Sequence, residues 1–372
     1  MTVELWRFAS HEPELKRDSG GYPNRDATGS VFGTVLPADK KPLLTAELRA
    51  DNDFEVSKGA VIDFVFRAVA VDEVSHGIIL HDRACIVRIR AETPPGVYAG
   101  RMTEHAPIGI AVAQFAPDAD VEANLLDIRV LAERAADRGA DVVVFPEYSS
   151  AFINPLGPEL VARAEPLDGV FVESLAGMAQ DLGIHLVAGM VERTGDSSRF
   201  SNTIIAVSPQ AELVASYRKQ HLYDAFGQTE SDYVVAGDLS DPETFTVGGL
   251  RMGIQTCYDI RFPEVTRRIV DAGAEVVLVP AEWVRGPLKE HHWKTLITAR
   301  AIENAVYVAG ADHTPPIGVG NSMIVDPAGV QVAGIGVEID VAVAFASANR
   351  VAEVRESNPA LELRRFQVVP RT

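Results

Sequence analysis

From residue 108 onward the sequence alternates between apolar runs of strand length and longer segments whose apolar residues recur at helical spacing. A typical pair is residues 108–115, an apolar run, followed by residues 122–138, an amphipathic segment. Gly139 is expected to end that helix, because glycine readily adopts the left-handed conformation of a helix C-terminus. The pattern predicts strands at 108–115, 141–147, 184–191, 201–207, 212–217, 250–256, 275–280 and 305–309, and helices at 122–138, 170–182, 263–272 and 288–303.

Strands that alternate with helices are typical of a layered α/β fold, in which helices cover the sheets. Residues 322–333 add a predicted hairpin around Pro-Ala-Gly. Residues 1–105 do not share this rhythm, although the alternation at 60–71 and 85–91 is compatible with strands. We therefore predict an unassigned N-terminal extension at 1–105, either a small β-rich appendage or disordered, and one α/β domain at 106–372.

Charge and cysteine content narrow the functional classes. The chain has 372 residues and a net charge of −18, of which −16 falls in residues 102–372. This acidity argues against the broad basic surface that nucleic acids and anionic membranes require, so neither is an expected partner. Two cysteines, Cys85 and Cys257, cannot form a disulfide framework and fit a reducing compartment. With no membrane-length apolar run and no signal-peptide pattern, the expected location is the cytoplasm.

Three chemically reactive side chains lie at or just beyond the ends of predicted strands: Glu147, Lys219 and Cys257. In α/β sheets, functional sites are assembled at strand ends. Taken singly, each has an ordinary explanation, since lone cysteines are usually buried core residues and lone charges are usually solvated. Together, a thiol, an amine and a carboxylate are what acyl transfer through a thioester needs, because a thiol attacks well only when a neighbouring group deprotonates it.

Six sequence strings, in this order, resemble the nitrilase superfamily of carbon–nitrogen hydrolases, and the resemblance covers roughly residues 106–355. Any one string alone would be weak, whereas six in order are specific. They are Val-Val-Val-Phe-Pro-Glu147-Tyr, Tyr-Arg-Lys219-Gln-His-Leu-Tyr, Thr-Glu230-Ser with Ala-Gly-Asp downstream, Thr-Cys257-Tyr-Asp-Ile-Arg-Phe-Pro-Glu, Ala-Arg300-Ala-Ile-Glu303-Asn-Ala, and Gly-Asn-Ser-Met-Ile-Val-Asp-Pro-Ala-Gly.

The resemblance implies a four-layer α-β-β-α sandwich and a Glu-Lys-Cys triad that works without a metal or an organic cofactor. Carried over by position, Cys257 would be the nucleophile and Glu147 the general base. Lys219 would stabilise the oxyanion together with the backbone N–H of Tyr258. Glu230 matches an additional glutamate that is often found beside the triad, where it would position the substrate or the attacking water.

The residues around the nucleophile leave alternatives open. Trp283 follows a predicted strand and either forms a wall of the substrate pocket or is an ordinary packed aromatic residue. Asp259 and Arg261 either bind substrate or form an ion pair that holds the turn after Cys257. Arg285 could meet a substrate carboxylate, although an exposed loop arginine is the simpler interpretation.

The expected activity is hydrolysis of a small carboxamide to a carboxylate and ammonia. The strings look closest to the ω-amidase and deaminated-glutathione-amidase branches, so a substrate with both an amide and a carboxylate is plausible. The segment after Trp283 departs from those relatives, which leaves the specific substrate open. Alternatives are an N-carbamoyl amino acid hydrolase, a nitrilase, or a non-catalytic binding scaffold. The resemblance also implies a homodimer or larger homo-oligomer, for which the apolar stretch 341–348 would be suitable.

Overall fold

The structure, a computed structural model, describes residues 106–371 and the backbone of five strands in the first 101 residues. The chain forms two compact units, Met1–Arg101 and Met102–Thr372. In the first unit an antiparallel sheet has the order β2-β3-β1-β5-β4. Its strands are β1 (Thr2–Trp6), β2 (Phe32–Thr34), β3 (Thr45–Glu47), β4 (Val61–Arg67) and β5 (Ala84–Arg90). The Cys85 side chain lies outside the described part. The assignment of residues 1–105 as an N-terminal extension, either a small β-rich appendage or disordered, stays a prediction.

The second unit contains two six-stranded sheets and the helices that cover them. Its strands are β6 (Ile108–Gln114), β7 (Val142–Val144), β8 (His185–Arg193), β9 (Phe200–Val207), β10 (Leu213–Arg218), β11 (Thr244–Val247), β12 (Leu250–Ile254), β13 (Val276–Pro280), β14 (Tyr307–Ala311), β15 (Met323–Val325), β16 (Gln331–Gly334) and β17 (Asp340–Ala346). Its helices are α1 (Val121–Asp137), α2 (Pro158–Val161), α3 (Val170–Leu182), α4 (Pro263–Asp271), α5 (Lys289–Asn304) and α6 (Ala348–Ser357). In this described part of the chain, no helix is long and apolar enough to cross a membrane.

The two sheets share one design, in which three parallel strands are flanked by antiparallel ones. The first sheet has the order β10-β9-β8-β7-β6-β17, with β6, β7 and β8 parallel. The second runs from β11 to β16 in sequence order, with β12, β13 and β14 parallel. Strands buried on both faces read as continuous apolar runs, which is the pattern that the sequence shows at Val142–Val144 and Val276–Pro280.

The sheets pack face to face, and helices cover their outer faces. Alternate side chains of β6 pack into two different cores, one between the two sheets and one between the first sheet and its helices, because successive residues of a strand point to opposite faces. Ile110 belongs to the core between the sheets, which includes Met252 of the second sheet. Ala111 belongs instead to the core under α1 and α3, and a separate core lies under α4 and α5. The predicted four-layer α-β-β-α sandwich is confirmed.

Because the two sheets pack against each other, the ends of β7 and β10 in the first sheet lie near the ends of β12 and β13 in the second. Glu147 follows β7 and Lys219 follows β10 in the first sheet, while Cys257 follows β12 and Glu282 follows β13 in the second. The stretch that the sequence suggested for a subunit contact forms β17, which pairs with β6 along its whole length. The homo-oligomer stays a prediction.

Candidate active site

A cavity of about 230 Å³ opens at these strand ends. Five of the six site residues predicted from the sequence line it: Lys219, Glu230, Cys257, Tyr258 and Trp283. The sixth, Glu147, lies behind this lining, is 1% exposed and contacts Lys219 directly. The fold therefore brings all six together from positions up to 136 residues apart in sequence.

Lys219 is held between two carboxylates. Its Nζ donates to Glu147 Oε1 at 2.9 Å and lies 2.9 Å from Glu230 Oε2, and all three side chains are buried. Burial alone would lower the pKa of Lys219, but the charges of Glu147 and Glu230 raise it well above its ordinary value. The lysine is thus a fixed positive charge in a dry environment, where electrostatic interactions are stronger than in water.

Two neutral side chains hold the carboxylates in place. Asn202 Nδ2 donates to Glu147 Oε1 at 2.6 Å and to Glu230 Oε1 at 3.2 Å. The hydroxyl of Tyr148 donates to Glu230 Oε1 at 2.8 Å. Burial and the nearby Glu230 charge raise the pKa of Tyr148 well above its ordinary value, so this hydroxyl stays protonated and keeps donating.

The backbone at Glu147 requires a glycine beside it. Gly189 lies in β8, and a Cβ added there would lie 2.4 Å from the amide nitrogen of Tyr148 and 2.7 Å from Glu147 Cα. Both are backbone atoms and cannot rotate away. On the other side, His313 Nε2 lies 2.7 Å from the backbone oxygen of Glu147. Glu147 is therefore positioned by its backbone as well as by its side chain.

Cys257 occupies a strained position at the end of β12. It opens a short 3₁₀ helix, Cys257–Arg261, with φ of 43°, which non-glycine residues rarely adopt. The turn is anchored by Thr256, whose hydroxyl donates to the Pro280 oxygen at 2.7 Å. Burial and the Glu147 charge raise the pKa of the Cys257 thiol well above its ordinary value, and Lys219 offsets only part of this rise. Burial and the Glu147 charge therefore favour the thiol over the thiolate in the free site.

The main chain of Glu282 connects the thiol to the carboxylate. Cys257 Sγ donates to the Glu282 backbone oxygen at 3.4 Å, and the Glu282 backbone N–H donates to Glu147 Oε2 at 2.7 Å. One residue at the end of β13 thus contacts the groups from both sheets. Its side chain lines the cavity, and its Oε1 is buried without a hydrogen-bond partner among the described residues. Burial, and then Glu147, raise the pKa of the Glu282 carboxyl well above its ordinary value, which favours the neutral acid.

Asp259 does not form an ion pair with Arg261, which corrects one of the two alternatives suggested by the sequence. Its Oδ2 accepts from the Tyr217 hydroxyl at 2.7 Å, and its Oδ1 accepts from the His221 backbone N–H at 3.0 Å. Tyr217 and His221 flank Lys219 in the sequence. Asp259 therefore ties the turn of Cys257 to the segment that carries the lysine.

The segment after β13 forms one wall of the cavity. Trp283 is 2% exposed; its indole N–H donates to the Lys289 backbone oxygen at 2.9 Å, and its backbone N–H donates to Asp312 Oδ1 at 2.6 Å. Lys289 lines the cavity too. Arg285 does not: its side chain is 52% exposed, with Glu290 at 4.0 Å. The alternative that Arg285 meets a substrate carboxylate therefore lacks structural support.

Sequence reasoning missed Asn202, Glu282 and Lys289. Glu282 had a usable signal, because it follows a buried parallel strand just as Glu147 and Cys257 do. Asn202 lies in the middle of a strand, and Lys289 begins a helix that carries several charges. Within residues 106–371 no group of three or more His, Cys, Asp or Glu side chains is arranged to hold a metal ion.

Comparison with known proteins places this geometry in a family. The carbon-nitrogen hydrolase family pattern matches residues 109–356. A Mycobacterium tuberculosis protein named as a hydrolase is 38% identical over 263 residues, which cover 66% of this chain and 92% of that protein. The deaminated glutathione amidase of Escherichia coli is 36% identical over 263 residues, covering 69% of this chain and 97% of that enzyme.

Solved structures agree with the sequence relatives. The Nesterenkonia amidase, described as a nitrilase-superfamily member, has a TM-score of 0.59 and 28% identity, covering 71% of this chain and 98% of that one. The Caenorhabditis elegans NitFhit protein has a TM-score of 0.64 and 31% identity over 70% of this chain and 65% of that one. The resemblance deduced from the six strings is confirmed. This chain belongs to the carbon-nitrogen hydrolase family, in the amidase branch of the nitrilase superfamily.

Proposed function

We propose that this enzyme hydrolyses the C–N bond of a small linear carboxamide through a thioester on Cys257, releasing ammonia and a carboxylic acid. The observation that carries the proposal is the bridge at Glu282, whose carbonyl accepts from Cys257 Sγ and whose N–H donates to Glu147. It joins a buried nucleophile and a buried carboxylate to the backbone of one residue beside a fixed ammonium, at the wall of a cavity.

In the first half of the reaction, the thiol proton of Cys257 passes to Glu147 as the sulfur attacks the amide carbon. A C–S bond forms, and the carbonyl oxygen becomes an oxyanion. When the intermediate collapses, the C–N bond breaks and Glu147 gives its proton to the departing nitrogen, which leaves as ammonia. Glu147 thus acts first as a base and then as an acid, as general acid–base catalysis requires.

In the second half, water takes the place of ammonia. Glu147 accepts a proton from water as the oxygen attacks the thioester carbon. The C–S bond then breaks, the sulfur recovers its proton from Glu147, and the acid product leaves. Each group returns to its starting state, so the cycle needs no further reactant.

The oxyanion of both halves is assigned to Lys219 and the Tyr258 backbone N–H. Lys219 has three N–H donors, and contacts with Glu147 and Glu230 leave one for the substrate oxygen. Because the ammonium is held before the substrate arrives, little reorganisation is needed as charge develops. Removing one such preorganised donor typically costs about 2.7–4 kcal/mol of barrier. Glu230 is assigned to positioning Lys219.

The raised pKa of Cys257 fits this order of events. Burial and the Glu147 charge keep the thiol protonated until a substrate is bound. The proton then moves to Glu147 as the C–S bond forms, so thiolate and carboxylate do not have to coexist. This also protects the buried sulfur from unproductive oxidation, since susceptibility follows thiolate character and exposure.

The test is ammonia release from a panel of ω-amides, N-carbamoyl amino acids and nitriles, with hydroxylamine added to compete with water. A thioester would be intercepted as a hydroxamate, at the expense of the carboxylic acid. We expect Cys257→Ala to lower turnover about a thousandfold or more. Cys85→Ala is the matched control, because it removes the chain's other thiol, and it should keep full turnover.

The panel also separates the alternatives. Preferred turnover of carbamoyl amino acids or of nitriles would replace the amide assignment while keeping Cys257. Retained activity in Cys257→Ala would reject the assigned nucleophile. If a folded protein turns over none of the three classes, the non-catalytic scaffold is the better account. A cytoplasmic location and a homo-oligomer belong to the same proposal, supported by the scarcity of cysteines and by the family resemblance.

A further inference from the structure

The carboxyl group of Glu282 lies at the cavity wall and has no partner in the described part of the chain. Glu282 lines the cavity together with Cys257 and Trp283. Its Oε1 is buried without a hydrogen-bond partner among the described residues, and its Oε2, which has none there either, keeps accessible surface. Within the same residues no ion pair involves this carboxyl group. Because an unpaired buried polar group costs free energy, a ligand that pairs with it gains affinity.

The backbone of Glu282 fixes the place of this side chain beside the reacting groups. Its carbonyl oxygen accepts from Cys257 Sγ at 3.4 Å, and its N–H donates to Glu147 Oε2 at 2.7 Å. The nucleophile and the base of the proposed reaction therefore both contact this one residue. A substrate that reaches both of them has to lie against Glu282.

The leaving nitrogen is the part of the substrate that faces Glu282. In the proposed reaction the amide carbon bonds to Cys257 Sγ, and the amide oxygen is assigned to Lys219 and the Tyr258 N–H. The nitrogen takes its proton from Glu147, whose Oε2 contacts the Glu282 N–H. A carboxamide nitrogen carries two N–H donors of its own, and each needs an acceptor once the substrate has left water.

The charges of the cavity favour a neutral donor over a cation at this position. Burial, and then Glu147, raise the pKa of the Glu282 carboxyl, which favours the neutral acid. Lys219 and Lys289 line the same cavity and would repel an ammonium group. A neutral amide N–H meets no such repulsion, and a protonated carboxyl group still has an oxygen that accepts.

We propose that the side chain of Glu282 accepts a hydrogen bond from the NH₂ group of the substrate. It thereby selects primary carboxamides over compounds that have no N–H at the reacting end, such as esters and nitriles. This inference rests on the amide hydrolysis proposed above. It adds a specificity-determining residue that touches the leaving group, beside the groups that carry out the reaction.

The experiment compares kcat/KM for the best amide of the panel and for the methyl ester of the same acid. Both form the same thioester, so they differ only in the leaving group. In Glu282→Met the amide-to-ester ratio should fall about tenfold, because the amide loses a hydrogen bond that the ester never had. Glu282→Gln should keep most of the ratio, since its amide oxygen is an acceptor in the same place.

Glu290→Met is the matched control, because it removes a carboxyl group of the following segment that does not line the cavity, and it should keep the wild-type ratio. An equal loss for amide and ester in Glu282→Met would show that the residue only supports the cavity, and would contradict the proposal. So would a ratio that falls as far in Glu282→Gln as in Glu282→Met. In both cases amide hydrolysis itself would stand.

A binding arm covers the case in which no amide is hydrolysed. Propionamide, butyramide and glutaramate, each with the corresponding methyl ester, are titrated into Cys257→Ala and into Cys257→Ala/Glu282→Met by calorimetry. We expect the first protein to bind at least one amide more tightly than its ester, and the second to lose that preference. Equal affinity within every pair, or no binding at all, would reject the acceptor site. An amide preference without hydrolysis would instead keep this site and reject the proposed reaction.

Discussion

The two sides of the cavity differ in how completely their ionisable side chains are paired. On the first-sheet side, Lys219 contacts Glu147 and Glu230, and Asn202 donates to both carboxylates. On the second-sheet side, Glu282 Oε1 and Arg261 Nε have no hydrogen-bond partner in the described structure. Lys289 on that side has a single hydroxyl as its polar side-chain contact.

This difference indicates which side of the cavity is organised before a substrate binds. On the first-sheet side the charged groups are already paired with one another, although Asn202 Oδ1 is buried without a partner in the described structure. Paired charges do not need the substrate to organise them, which is what preorganised catalysis requires. Unsatisfied buried groups cost free energy in the free protein, and a ligand that pairs with them recovers it. We therefore propose that proton transfer and oxyanion stabilisation depend mainly on the first-sheet side, with Cys257 where the two sides meet.

The difference between the two sides of the cavity is tested most strongly by removing each buried lysine in turn. Lys219→Met would leave two carboxylates buried without their counterion, and breaking such a pair typically costs about 3–5 kcal/mol of stability. It should also reduce kcat by about two orders of magnitude or more, because an oxyanion donor is lost. The free energy of unfolding is measured with urea, and kcat from ammonia release.

Lys289→Met is the matched variant for stability. It removes a buried charge that has no carboxylate partner within the described residues, so unfolding stability should be unchanged or higher. Equal destabilisation by the two substitutions would contradict the distinction between a paired and an unpaired side of the cavity.

A second, smaller effect is expected on the first-sheet side from Gly189→Ala. The added methyl would overlap the backbone at Tyr148 and Glu147, so the strand end has to move. Overpacking of this kind costs about 1–3 kcal/mol, and displacement of the base should lower kcat more than it raises KM. Gly177→Ala in α3 is the control: a Cβ there meets nothing within 4 Å, and alanine should stabilise the helix by up to about 1 kcal/mol.

A third prediction concerns the electrostatic coupling between Glu147 and Cys257. It is measured as the pH dependence of thiol alkylation. Because the pKa of Cys257 is raised, alkylation by iodoacetamide should be slow at pH 7 and accelerate as the pH rises and the thiolate forms. Glu147→Gln removes a negative charge that raises this pKa, so the alkylation profile should move to lower pH. A profile that moves to higher pH would mean that Glu147 favours the thiolate, contrary to the account.

The sequence was most informative where local chemistry decides the structure. The helix predicted at 170–182 has those bounds, because Gly183 adopts the left-handed conformation that ends it. The strand predicted at 305–309 was wrong by two residues: Ala305, rather than a glycine, takes the left-handed conformation after α5, and the strand begins at Tyr307. The partner of β17 could not be read from the sequence, because β6 lies more than 200 residues away.

In the candidate site, too, the sequence identified the residues that lie in local motifs and missed a feature that depends on tertiary contacts. Glu147, Lys219, Glu230 and Cys257 were found because each lies in a recognisable string, and the structure brings them together. The absence of a carboxylate partner for Lys289 among the described residues had no such signal in the sequence. Whether a lysine lacks a counterion depends on every segment that folds against it, and that is a property of the tertiary structure.

The central claim is that Cys257 carries the acyl group, and rapid acid quench followed by mass spectrometry tests it most directly. With the best amide of the panel, peptides from the quenched wild type are predicted to show the acyl mass on the fragment containing Cys257, appearing before the acid product and disappearing as it forms. Cys257→Ala should show neither adduct nor turnover. Product formation in a single turnover with an unmodified Cys257, or with the acyl group on another residue, would contradict the account.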